Sequence, residues 1–194
     1  MKLKLFLSSF LLTFGILLAI VYLSHLQRKQ RDPKPLLGAN GIFFTSQLEI
    51  RDLGRYERFG FKTIVDIRPD GEASDQPSSK EMSEVATLEK LHFHYIPVPH
   101  ESIPAAAVTE LGQVLAQEEK PVVLYCRTGR RAVRLFALEE ASRFGGPDSG
   151  AVEAMVKAAG FNADDLKQEI TKRISERKST PPKPAQTAAS AASL

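Results

Sequence analysis

Pro121-Val122-Val123-Leu124-Tyr125-Cys126-Arg127-Thr128-Gly129-Arg130-Arg131-Ala132 is the stretch that decides how this chain is read. Its first five residues are the most hydrophobic strand-like run, with no polar residue alternating into it, as a strand buried on both faces requires. Gly129 permits a turn that a side chain would obstruct, and a helix beginning near Arg131 or Ala132 runs to Phe144, where Gly145-Gly146-Pro147 stops it. In open α/β sheets ligands bind beyond the carboxyl ends of the strands, and Cys126 stands at that position. A loop turning into a helix N-terminus aims several backbone N–H groups at one spot and adds the positive end of the helix dipole. Three arginines in the five residues from Arg127 to Arg131 strengthen that field. Positive side chains are disfavoured at a helix start, so this cluster calls for an anionic partner. The same field favours a thiolate, which makes Cys126 the candidate nucleophile.

Working outward, short strands and helices alternate. Gly41 to Thr45 reads as a strand and Glu49 to Phe59 as a helix ended by Gly60. Thr63-Ile64-Val65-Asp66-Ile67 is a second buried strand, followed by a polar loop from Arg68 to Pro77. A helix from Ser78 to Leu91 is capped by Ser78 or Ser79. His94-Tyr95-Ile96-Pro97-Val98 is a strand whose proline marks its end or an edge of the sheet. Ala105 to Gln117 is a helix introduced by Pro104, and one or two amphipathic helices occupy Ser149 to Glu176. This alternation implies an α/β fold, a four- or five-stranded mixed sheet covered by helices on both faces.

The ends of the chain differ from its middle. Leu5 to Ser24 carries no charge, and twenty helical residues span roughly 30 Å, a bilayer core. Residues 1–26 are therefore expected to be a single-pass membrane anchor, with a cleavable signal peptide as the alternative. Lys2 and Lys4 are balanced by Arg28, Lys29, Arg31 and Lys34, so the charges leave the side of the membrane open. Residues 27–39 read as a linker, 40–176 as the folded domain, and 177–194, rich in proline, alanine and serine, as a disordered tail. The net charge of +3 gives no reason to expect nucleic acid as a partner. A single cysteine excludes an internal disulfide and a cysteine-rich zinc site. His92 and His94 share one face of a strand but have no third ligand at suitable spacing, so no metal is expected.

Residues 125–132, together with Thr63-Ile64-Val65-Asp66-Ile67-Arg68-Pro69-Asp70-Gly71-Glu72 and the intervening Gln76-Pro77-Ser78, resemble a bacterial family of phosphatase-like domains found alone or fused to β-lactamase-like hydrolases. The resemblance covers roughly Asn40 to Gly160. It implies a compact three-layer fold like that of dual-specificity phosphatases, hydrolysis of a phosphorylated substrate without a cofactor, and localisation in a bacterial inner membrane through the anchor. Carried over by residue, Cys126 is the nucleophile, Arg131 the oxyanion ligand, and Arg127, Thr128, Gly129 and Arg130 the rest of the phosphate-binding loop. Tyrosine-phosphatase-like enzymes usually place five residues between cysteine and arginine, where this chain has four, and a histidine where it has Tyr125. The short loop is also similar to that of rhodanese sulfurtransferases, so a persulfide-carrying Cys126 stays open as an alternative, as does a non-catalytic module binding phosphorylated ligands. A phosphatase of this kind needs a general acid, and Glu101 or His100, in the loop after the third strand, is the candidate. Arg68, Asp70 and Glu72 either line the rim of the site or form local ion pairs.

Overall fold

The computed structural model describes residues 13–24 and 34–177, and the chain divides into two units at Lys34. In the first, α1 covers residues 13–24, and its side chains are exposed. Among the described residues no helix is long and apolar enough to cross a membrane. On that finding the inner-membrane localisation expected from the run Leu5 to Ser24 is contradicted, while residues 5–12 of the run itself lie outside the described residues. Residues 1–12 and 25–33, and the expected tail beyond Arg177, lie outside the described residues.

The second unit is built on a five-stranded sheet. Its strands are β1 (Leu36–Leu37), β2 (Ile42–Thr45), β3 (Thr63–Asp66), β4 (His92–Tyr95) and β5 (Val122–Tyr125), in the order β1-β2-β5-β3-β4. Only β1 runs antiparallel, and it lies in the stretch read as linker. The remaining four are parallel, with β5 in the middle, as its unbroken apolar run requires.

Side-chain alternation on β5 sorts the helices into two layers. Val122 and Leu124 join a core with α4 (Ala105–Gln117), α5 (Arg130–Ser142), α6 (Ser149–Ala158) and α7 (Lys167–Ser175). Val123 and Tyr125 face the opposite way, into a smaller core with α2 (Ile50–Arg58) and α3 (Ser79–Leu88). Cys126 follows Leu124 by two residues and joins the α5 side.

The local signals mostly hold. Ser78 caps α3 through a reciprocal pair with Glu81. The third strand is shifted: the ladder covers His92–Tyr95, not His94 to Val98. Pro97 has no N–H to offer, yet Ile96 N and Val98 N still bond to Asp66 O (2.8 Å) and Ile67 O (3.0 Å), so the chain stays beside β3 as it leaves the sheet. As its proline implied, β4 is an edge.

Two carboxyl groups are buried at a cost. Glu139 on α5 is aimed at Gly112 of α4, where an added Cβ would lie 3.5 Å from Glu139 Oε1, and its Oε2 has no hydrogen-bond partner. Burial, with the neighbouring Glu140 carboxylate, pushes Glu139 up to about 7. Burial likewise pushes Asp66 up to about 6. Both groups hold their proton more tightly folded than unfolded, so this contribution to stability is present at pH 4 and is lost as the pH rises toward 7. Glu139→Gln removes that loss. Its thermal midpoint should exceed that of the unsubstituted protein at pH 8, by a stabilisation on the order of 2 kcal/mol, and the difference should vanish near pH 4. Melting curves at the two pH values check it.

Candidate active site

Four chain segments meet where the parallel strands end. Cys126 leaves β5 as a free thiol with 1% of its surface exposed. Arg127 and Thr128 follow it, exposed, and then the buried Gly129, which caps α5 in the left-handed region at φ +87°. A Cβ there would sit 3.3 Å from the Thr45 carbonyl oxygen and 3.5 Å from the Phe161 ring, so the turn needs glycine for space as well as for conformation. The loop after β2 braces this turn, with Gln47 N donating to Arg127 O at 3.4 Å.

Arg131, in the first turn of α5, points back over the strand ends with 9% of its surface exposed. Its Nη1 and Nη2 donate to the two carboxylate oxygens of Glu72, at 2.6 and 2.7 Å. Nη1 also donates to the Val98 carbonyl oxygen at 2.7 Å. Burial opposes the charge on the guanidinium, but the Glu72 carboxylate and the Cys126 sulfur outweigh it, holding Arg131 above its ordinary value. Glu72 is held below the usual carboxylate range, chiefly by the Arg131 hydrogen bonds. A second arginine completes the group. Arg68, 4% exposed, donates from Nε to Glu72 Oε2 (3.0 Å) and from Nη1 to Gln47 Oε1 (2.7 Å).

On the other side of Arg131 lies a cavity of about 270 Å³. His100, Glu101, Arg131, Arg134, Asp165 and Glu169 contribute to its wall, and Cys126 does not. Both general-acid candidates thus lie on the wall of a cavity that Arg131 also lines. Arg127 and Arg130 point outward, and neither makes an ion pair among the described residues. Asp70 serves the loop's own structure, its carboxylate accepting from Ser79 N and Oγ. His94 Nε2 lies 3.0 Å from Glu118 Oε1, and His92 contacts the same carboxylate. Among the described residues no three His, Cys, Asp or Glu side chains are grouped to hold a metal ion.

Sequence reasoning left Glu72 between a rim residue and a local ion pair. It forms the ion pairs, with Arg68 four residues away and with Arg131 fifty-nine residues away, and it is not among the residues on the cavity wall. Gln47, Asp165 and Glu169 carried no signal, because nothing local ties them to the loop.

Residues 39–143, more than half of the chain, match the phosphatase-like domain of beta-lactamase hydrolase-like proteins. The chain belongs to this family. The beta-lactamase hydrolase-like protein of Xylella fastidiosa is 33% identical over 116 residues, which are 60% of this chain and 26% of that protein. The chain thus spans about a quarter of the length of the curated relatives it matches. Among solved structures, nma1982 of Neisseria meningitidis, a candidate phosphatase, is 27% identical with a TM-score of 0.62, over 71% of this chain and 96% of that one. Tk-PTP shares the fold at 17% identity and a TM-score of 0.57, over 74% of this chain and 97% of that one.

The space at Gly129 gives a direct test of the turn. Gly129→Ala places a side chain at positive φ against the Thr45 carbonyl, so denaturant unfolding should report a loss on the order of 1–2 kcal/mol. A stability equal to the parent would mean that the turn relaxes without cost.

Proposed function

We propose that this domain is a cysteine-dependent phosphatase that hydrolyses phosphomonoesters through a phosphocysteine. The observation that carries the reading is the Arg131 guanidinium, held at the start of α5 where the Cys126 sulfur acts on it, beside a cavity walled by His100 and Glu101. Membership of a phosphatase-like family and the 27% identical Neisseria protein support it.

In this mechanism the Cys126 thiolate attacks phosphorus, forming a P–S bond as the P–O bond to the leaving group breaks. Arg131 and the backbone N–H groups entering α5 hold the equatorial oxygens as charge spreads over them. Glu101 or His100, on the cavity wall, gives its proton to the departing oxygen. Water then attacks phosphorus, the P–S bond breaks, and phosphate and the thiolate are released. None of these steps calls on a metal or an organic cofactor.

Intact-mass analysis after rapid quenching should find a phosphate adduct in the parent protein and none in Cys126→Ser. Arg131→Lys keeps the charge but loses the planar fork, so aryl phosphate hydrolysis should fall by a factor on the order of 10²–10³. Glu101→Gln and His100→Asn should be tested with both aryl and alkyl phosphates. The true acid is the one whose loss impairs only the alkyl ester, because that leaving group needs the proton. A persulfide adduct, with thiosulfate turned over and no phosphomonoester hydrolysed, would establish sulfur transfer in place of this reading. No adduct of either kind would leave a ligand-binding module.

A further inference from the structure

The guanidinium that this mechanism assigns to the phosphoryl group is already half engaged. Arg131 has five N–H donors in a fixed plane. Two are taken by the Glu72 carboxylate and one by the Val98 carbonyl. That leaves Nε–H and the second Nη2–H, which covalent geometry places side by side on one edge as a second fork. The Cys126 sulfur is the other group acting on this guanidinium.

Glu72 is itself fixed. Arg68 holds its Oε2, and Arg68 is held in turn by Gln47 Oε1 through its side chain and by Asp66 Oδ1 through its backbone N–H (2.9 Å). The loop carrying Glu72 is tied on both sides. Asp70 N donates to the Tyr95 hydroxyl oxygen (2.8 Å), the Asp70 carboxylate accepts from Ser79, and Gln76 Nε2 donates to Pro69 O (3.0 Å). A carboxylate pinned in this way does not swing aside like a gate.

We infer that Glu72, backed by Arg68, is a positioning residue of the site: it occupies the end of the Arg131 guanidinium so that the Nε/Nη2 edge is presented, preformed, to two oxygens of the phosphoryl group. The inference rests on the phosphatase reading for its substrate. Without Glu72 the guanidinium keeps its charge but not its direction, and a misplacement of about 1 Å in a catalytic group is enough to cost on the order of 10²-fold.

The test uses the full chain, p-nitrophenyl phosphate as substrate and inorganic phosphate as ligand. Glu72→Gln should lower kcat by roughly 10–100-fold and weaken inorganic phosphate binding about tenfold, and Glu72→Asp should recover part of both losses. In the Arg131→Ala background, adding Glu72→Gln should cost nothing further, because the two residues act as one. A purely structural role would instead lower the melting temperature and add its loss to that of Arg131→Ala. If Glu72→Gln does not fold, Glu72→Asp and Arg68→Gln carry the test, and an unchanged kcat in both overturns the inference. A Glu72→Gln protein with higher turnover or a lower KM also overturns it, making Glu72 a competitor for the anion site. Calorimetric titration with inorganic phosphate separates this inference from the phosphatase reading. A parent protein that binds phosphate without hydrolysing any ester, and a Glu72→Gln protein that binds it at least tenfold more weakly, would sink the reaction and keep the role of Glu72.

Discussion

A guanidinium almost wholly removed from water must be paired, and in this protein the pair is Arg131 with Glu72. The demand propagates through the strand ends. Glu72 has to reach Arg131 from the loop after β3, so that loop is tied to Tyr95 of β4, to Ser79 of α3 and, through Arg68, to Gln47 after β2. Val98, beyond β4, supplies a carbonyl to the same guanidinium. The segments after β3 and β4 thus each send a group to Arg131, the segment after β2 holds the arginine behind Glu72, and the Cys126 loop leaves β5 beside this ring. Breaking the Glu72 or Val98 contact leaves a buried guanidinium short of a partner, which ties the order of the loops to the order of the site.

The alternation of β5 divides the labour beneath this ring. Cys126 falls on the α5 side, where Arg131 can reach it, and Tyr125 falls on the α2–α3 side. The β3–β5 register places Tyr125 directly opposite Asp66. The Tyr125 hydroxyl is buried without a hydrogen bond of ordinary geometry, and burial followed by the nearby Asp66 charge pushes its phenol up. Asp66 uses its own carboxylate to hold the backbone of Arg68. One buried carboxyl therefore supports the turn that delivers both Arg68 and Glu72, at the expense of its own ionisation.

The local elements were legible because they depend on neighbours in the chain. A run of apolar β-branched residues ending in cysteine, a glycine, and arginines at a helix start can be read without knowing what lies across the sheet. The capping box of Ser78 and Glu81 and the proline that follows the edge strand β4 are of the same kind. The membrane placement drawn from the apolar N-terminal run is contradicted because composition counts residues that prefer lipid, whereas a span needs one long apolar helix, and none is found among the described residues.

By itself, then, the sequence determined the strand–loop–helix unit of Cys126 and Arg131, the α/β architecture on a mixed sheet, and the need for an anion beside the arginines. The tertiary structure alone decided which anion answers for Arg131. It is Glu72, brought across fifty-nine residues by the parallel pairing of β3 with β5. It also decided which residues share a cavity with that arginine, since His100 and Glu101 line it together with Asp165, in the turn before α7, and Glu169 of α7, which packs on α5. The physical reason is that hydrogen bonding within an element is set by local spacing, while the partner of a buried charge is set by the register of strands and the packing of helices that the linear pattern does not encode.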